Sequence, residues 1–232
     1  MSVPSTDPAG PLPSPTRRKP LWWSTQQVMQ VLFPLLFRYR AQGTENVPQE
    51  GPALLLVNHQ SYLDPIVLGL PLKRPIVMLG RKNLMEFPLL GPILRGLYGV
   101  PIDRNNPGTH VIRELVRRLD HGFLVAIYPE GTRGFSTQLG EIKPGFISIL
   151  RRTDVPVIPV GLAGTNRAMP KGSWFIRPAT IRITFGEPMP PSTLASLKAR
   201  GRERELLMFI HDQMQAQVDK SADWIAGGTA AK

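Results

Sequence analysis

The segment Ala53-Leu54-Leu55-Leu56-Val57 runs five apolar residues without a polar break and ends at once in Asn58-His59. A strand with one wet face alternates polar and apolar positions. A run this short and unbroken is what a strand buried on both faces requires. Comparable short runs recur at 75–79, 100–102, 123–128, 155–161 and 180–185, with helix-patterned stretches between them. Asp64-Pro65 opens one such stretch, with Asp as a possible cap and proline in the first turn. Residues 108–120 put Val111, Ile112, Leu115, Val116 and Leu119 on one helical face. A shorter helix is expected at 145–152, and a last one at 202–218 with Leu207, Ile210, Met214 and Val218 inward. This alternation predicts an α/β fold: a single domain with a mostly parallel or mixed sheet flanked by helices. The 232 residues are enough for one full hydrophobic core.

The ends read differently. Residues 1–19 hold five prolines and finish in Arg17-Arg18-Lys19, which predicts a flexible tail whose basic end can meet anionic headgroups. Residues 20–42 predict an N-terminal amphipathic, membrane-associated helical element. Leu21, Trp22, Val28, Met29, Leu32, Leu35 and Leu36 share one face, while Ser24, Gln26, Gln27 and Gln30 share the other. Trp22, Trp23 and Tyr39 suit the headgroup zone, with Arg38 and Arg40 beside them. Pro34 is expected to kink or split the helix. The plainer alternative is an amphipathic helix packed on its own domain. No run approaches the ~20 apolar residues of a spanning helix. The main domain is placed at 43–220, and the Gly- and Ala-rich end, 221–232, is expected to be flexible.

The net charge is +11, and residues 73–118 carry a surplus of six positive charges. Such an excess calls for an anionic partner: nucleic acid, a membrane surface or a phosphorylated substrate. No zinc-finger ligands, ribonucleoprotein strand or long basic helix supports nucleic acid, so no nucleic-acid partner is expected. The chain has no cysteine, which removes disulfides, a thiol nucleophile and thiolate metal sites. No metal-ligand spacing is present.

Chemistry-bearing residues cluster where the apolar runs end. In an α/β domain sites gather beyond the carboxyl ends of strands. His59 follows the first run, with Asp64 five residues on. Five residues of regular helix turn through ~500°, so the two meet only if His59 lies in a turn and Asp64 in the next helix's first turn. In that geometry the carboxylate fixes the imidazole's tautomer and leaves one ring nitrogen to take a proton. Glu130-Gly131-Thr132-Arg133 follows the 123–128 run. Gly131 permits close backbone approach, and Arg133 offers a fork for phosphate oxygens. Arg104, after the 100–102 strand, supplies a second fork, and Lys143 a third cation. Asn58 either orients a neighbour of His59 or satisfies the strand end. Ser61 lacks the Gly-x-Ser-x-Gly elbow of an exposed nucleophile. His110 with Glu114 reads as a surface i,i+4 pair.

Four ordered blocks over residues 53–162 resemble the glycerolipid acyltransferase family, most closely the bacterial-type 1-acyl-sn-glycerol-3-phosphate acyltransferases. His59 and Asp64 match its His-x4-Asp block, and Gly99–Arg104 its Gly, apolar strand and Arg. Residues 128–134, Tyr-Pro-Glu-Gly-Thr-Arg-Gly, match Phe-Pro-Glu-Gly-Thr-Arg-Ser with Tyr128 for Phe and Gly134 for Ser. Val155–Val160 match a Val-Pro-Val-Ile-Pro-Val strand. The resemblance implies transfer of a fatty acyl group from acyl-CoA or acyl carrier protein to the sn-2 hydroxyl of a lysophospholipid, lysophosphatidate, giving phosphatidate. It implies no cofactor beyond the thioester co-substrate and no acyl-enzyme. His59 would be the general base and Asp64 its orienting partner. Arg104, Glu130, Gly131, Thr132, Arg133 and Lys143 would bind phosphate and glycerol. Pro159, with Asn58, would support the site or the acyl donor, and 84–98 would line an acyl tunnel. It also implies association with the membrane surface, on the cytoplasmic side. Glycerol-3-phosphate or another lysolipid remains open as acceptor, as does a non-catalytic membrane-binding role on the same scaffold.

Overall fold

A computed structural model describes residues 12–88, 90–102, 109–134, 138–173 and 175–227. Seven strands form one sheet in the order β1-β7-β6-β2-β5-β3-β4. They are β1 (Arg40–Gln42), β2 (Ala53–Val57), β3 (Ile76–Arg81), β4 (Gly99–Ile102), β5 (Leu124–Ile127), β6 (Val157–Ala163) and β7 (Arg182–Phe185). Strands β2 to β6 all run parallel, β7 runs antiparallel to β6, and β1 pairs parallel with β7. The sheet is therefore mixed, as the alternation predicted.

The unbroken apolar runs are explained by helices on both faces. Every residue of β2, β5 and β6 is buried. Leu54, Leu56, Val125 and Ile127 face the layer of α5 (Thr109–Asp120), α6 (Ile147–Leu150), α8 (Pro191–Leu197) and α9 (Glu203–Gly227). Leu55, Val57, Leu124 and Ala126 face α1 (Pro20–Phe37) and α2 (Asp64–Gly69). Each fully buried Leu or Val contributes roughly 1.5–3 kcal/mol, so these central strands are the anchor of the fold. Helix α9 lies directly on β6. A Cβ at Gly161 would fall 2.1 Å from the Gln217 carbonyl oxygen, so only glycine admits this approach. Ser221 Oγ, fully buried, donates to the Gly161 carbonyl.

The chain order places the site. After β2 the chain moves to β3 and β4 (with α3, Lys82–Glu86, and α4, Leu90–Gly96, between them). It then returns through α5 to insert β5 between β2 and β3. Strand β6 joins the other side of β2. The direction of winding switches at β2, and in open α/β sheets ligands bind beyond the carboxyl edge at such a switch.

Several elements depart from expectation at the boundaries. Residues 40–42, assigned to the N-terminal helical element, form β1 of the sheet. Residues 221–227, expected to be flexible, continue α9, held by Ser221. Residues 12–19 contact the body: the Tyr98 hydroxyl donates to Arg17 O, and Arg18 Nε donates to Lys73 O. Helix α1 runs through Pro34 as one element. Its buried residues are Trp22, Gln26, Phe33 and Phe37. Gln26, expected on the wet face, turns inward because its amide donates to the carbonyls of Gly69, Leu70 and Leu72 at the end of α2. Leu21, Trp23, Val28, Val31, Leu32, Leu35 and Leu36 are exposed. Among the described residues no helix is long and apolar enough to cross a membrane.

Candidate active site

Strand β2 ends at Val57, and Asn58 continues its ladder with a side chain. Its Nδ2 donates to Leu162 O, and its Oδ1 accepts from Leu162 N. That paired bond locks the strand end to β6 and fixes where His59 leaves the sheet. Residues 58–61 lie outside helix and strand, and α2 begins at Asp64. The five-residue spacing is thereby bridged as the sequence required. His59 Nδ1 and Asp64 Oδ2 are 2.7 Å apart.

Asp64 does not cap its own helix, in contrast to the cap its place before Pro65 offered; the N-cap is Leu63. Its carboxylate turns back and closes the preceding turn. Oδ2 accepts from Gln60 N (2.6 Å) and Ser61 N (2.8 Å) as well as meeting the imidazole. The residue is fully buried. Three contacts on one oxygen hold the buried carboxylate in a fixed orientation. An acceptor oxygen at Nδ1 selects the tautomer with hydrogen there, so Nε2 presents a lone pair. No hydrogen bond engages Nε2 among the described residues. Ser61 is excluded as a nucleophile: it is fully buried and its hydroxyl donates to Met169 O.

The loop after β5 holds His59 from the other side. Glu130 Oε1 accepts from His59 N at 2.7 Å, Oε2 accepts from Gly140 N at 3.0 Å, and Gly134 N donates to His59 O at 2.8 Å. Glu130 is buried and engaged with backbone. Burial raises its carboxyl above the usual range, and the two amides and the His59 ring pull it partly back. The Tyr128 ring stacks on the imidazole, centroids 4.3 Å apart and planes at 29°. Its hydroxyl is buried without a partner among the described residues, and burial, then Asp64, push it well above the usual tyrosine range.

Gly131 turns the loop with φ +67°, a left-handed conformation suited to glycine. Gly131 and Thr132 are exposed, and the Lys143 side chain lies against Gly131. Arg133 is 8 % exposed, with its guanidinium 3.6 Å above the Tyr62 ring centroid. Stacking fixes the plane of the fork. Nη1 is buried and has no partner among the described residues. A desolvated cation with unspent N–H groups is a ready donor set for an oxyanion.

Of the predicted site residues, the structure brings together Asn58, His59, Asp64, Glu130, Gly131, Thr132, Arg133 and Lys143. Arg104 lies outside the described residues. Pro159 is buried inside β6, opposite Leu56 in the ladder and under Gly186. The sequence did not reveal Tyr128 and Tyr62, whose rings flank His59 and Arg133, nor Lys171, whose ammonium donates to Arg133 O. Much of the 73–118 charge is committed elsewhere. Buried Arg74 donates to carbonyls of Pro48, Gly51 and Gly122, and Arg117 and Arg118 hold Glu114.

Comparison with known proteins agrees with this arrangement. A family model described as Acyltransferase matches residues 38–163. The 1-acyl-sn-glycerol-3-phosphate acyltransferase of Bacillus subtilis is 25% identical over 175 residues, 75% of this chain and 85% of that protein. The chloroplastic 1-acyl-sn-glycerol-3-phosphate acyltransferase LPAT1 of Arabidopsis thaliana is 30% identical over 157 residues, 66% of this chain. The match spans only 44% of that plant protein's length. The crystal structure of the 1-acyl-sn-glycerophosphate (LPA) acyltransferase PlsC from Thermotoga maritima superposes with a TM-score of 0.71 at 27% identity, covering 85% of this chain and 78% of that one.

Proposed function

Because the chain belongs to the glycerolipid acyltransferase family, we propose that it transfers a fatty acyl group from a CoA or acyl-carrier-protein thioester to the sn-2 hydroxyl of 1-acyl-sn-glycerol-3-phosphate. The observation that carries this reading is the buried His59–Asp64 contact of 2.7 Å, which leaves Nε2 without a hydrogen bond among the described residues.

The reaction follows from that geometry. His59 Nε2 accepts the proton as the acceptor hydroxyl oxygen attacks the thioester carbonyl. Asp64 stabilises the imidazolium that forms. The tetrahedral intermediate collapses, the C–S bond breaks, and the departing sulfur takes the proton from Nε2. The free thiol and the ester leave, and His59 is neutral again. No protein nucleophile is needed, consistent with a chain free of cysteine. Arg133 binds the acceptor phosphate, with Lys143, Gly131 and Thr132 at the mouth. Glu130 acts on His59 rather than on substrate, holding the base's backbone in place.

Helix α1 fits a monotopic role at the membrane surface, on the side where thioester donors are made. Its exposed face carries Trp23, Leu32, Leu35 and Leu36, and an apolar face of this kind partitions into the headgroup–acyl boundary. The acceptor is tested by incubating purified protein in vesicles with each thioester donor and a panel of lysophosphatidate, glycerol-3-phosphate and other lysophospholipids. Phosphatidate formed from lysophosphatidate at the highest kcat/KM is the expected result. Preference for an acceptor without a phosphate monoester would overturn the assignment.

A further inference from the structure

Strands β6 and β7 are antiparallel neighbours, yet residues 164–181 separate them where a hairpin needs only a few. β6 runs toward the carboxyl edge and β7 starts there, so this connection lies on the same edge as His59. It begins with the short helix α7 (Thr165–Ala168) and ends in an extended segment.

The tip is built rather than slack. Arg177 N donates to Ala168 O at 2.8 Å and closes the neck. Ser173 N donates to Pro170 O, and the Ser173 hydroxyl and the Phe175 backbone bond each other. Two further bonds moor the neck to the site. Ser61 Oγ donates to Met169 O at 2.9 Å, and Lys171 Nζ donates to Arg133 O at 3.0 Å. On this braced loop Phe175 is 79 % exposed and Ile176 56 % exposed. Water-facing aromatic and branched residues held out by backbone bonds, with no core to cover them, need an external partner.

Charge identifies the partner. No acidic residue occurs between Asp154 and Glu187, while Arg167, Lys171 and Arg177 lie on the connection. An apolar tip on a connection that carries Arg167, Lys171 and Arg177 and no acid complements a bilayer interface containing anionic lipid, where the rings and chains enter the acyl boundary and the bases stay among phosphates. We infer that the tip bearing Phe175 and Ile176 is a second membrane contact, separate from α1, that seats the active-site edge of the sheet on an anionic bilayer. Its purpose presupposes the lipid acceptor proposed above. Its moorings to Ser61 and Arg133 carry the consequence: docking and substrate capture are coupled through one loop.

The test uses the full chain and the double variant Phe175→Ser/Ile176→Ser. Binding is read by co-sedimentation with substrate-free vesicles of phosphatidylcholine alone and of phosphatidylcholine with phosphatidylglycerol. Turnover is read with vesicle-borne lysophosphatidate and with a short-chain acceptor kept monomeric. Removing two apolar side chains is expected to weaken partitioning to the anionic vesicles about tenfold or more. The vesicle-borne KM rises in step, and short-chain turnover and Tm stay unchanged. Arg177→Gln should lower the preference for anionic over neutral vesicles and little else. Wild-type-like binding by the double variant overturns the inference. So does a loss confined to acyl-carrier-protein donor with vesicle binding intact, which would assign the tip to the donor protein. Because the binding arm contains no substrate, it reads the tip even if acyl transfer fails with every acceptor.

Discussion

Replacing Asp64 by Asn removes a charge while nearly preserving a shape, and so isolates what the carboxylate does. Asn can still accept from Gln60 N and Ser61 N. The difference arises as the proton reaches Nε2. An imidazolium 2.7 Å from a carboxylate oxygen gains about 6 kcal/mol at an effective dielectric of about 20. Asn offers almost none of this, and its amide can bond Nδ1 in the wrong tautomer, leaving Nε2 protonated. The expected loss is about 10⁴-fold in kcat, about 5.5 kcal/mol, the scale seen when a buried His–Asp pair loses its charge. KM for the acceptor should change less than about threefold, since Asp64 is fully buried and does not face substrate. Thiol release from acyl-CoA, followed continuously with a thiol-reactive dye at saturating acceptor, measures kcat, and thermal unfolding checks the fold. Activity within tenfold of wild type, in a protein of unchanged Tm, would show that the Asp64 charge does not support the imidazolium.

Arg133→Lys keeps the charge but loses the fork and its stack on Tyr62. Acceptor KM should rise by about 10- to 100-fold, corresponding to roughly 1.5–3 kcal/mol for a charged hydrogen bond, with kcat within about threefold. Steady-state kinetics with varied acceptor decide it, and an unchanged KM removes Arg133 from phosphate binding. Glu114 tests pH linkage. Burial raises its carboxyl, but hydrogen bonds from Arg117 and Arg118 outweigh this and hold it below the usual value. A lowered folded pKa gives stability that is present above the ordinary carboxylate range and is lost as pH falls through the folded value. Glu114→Gln should therefore cost about 0.5–1 kcal/mol at pH 7 and little once the pH has fallen through the lowered folded value, read as the difference in Tm between the proteins across pH. A Tm difference independent of pH would contradict the pairing.

What the sequence made legible is what a short-range rule can express. The unbroken run at 53–57 required a strand covered on both faces, and β2 is that strand. Asp64-Pro65 marked a helix start, so the His59–Asp64 geometry could be set out from spacing alone. Long-range bonds were not legible. Gln26 looks polar, and only the free carbonyls at the end of α2 make it an inward residue. Arg74 counted toward an anion-binding surplus, yet carbonyls in the loops before β2 and β5 consume it. Glu114 was paired with His110 by i,i+4 spacing, but two arginines on the same helix offer stronger partners. The resemblance implied a substrate role for Glu130; its bonds to the His59 and Gly140 amides were not legible from the motif. The same limit hid the inward stripe of α1 and the last turns of α9, both set by packing partners rather than by composition.

The role of His59 as base for acyl transfer to a lipid hydroxyl is decided by thioester-dependent formation of phosphatidate from lysophosphatidate, followed by mass spectrometry for wild type and His59→Ala at matched Tm. Turnover by wild type and a loss of at least about 10³-fold in the variant are expected. Undiminished product from His59→Ala would contradict that role.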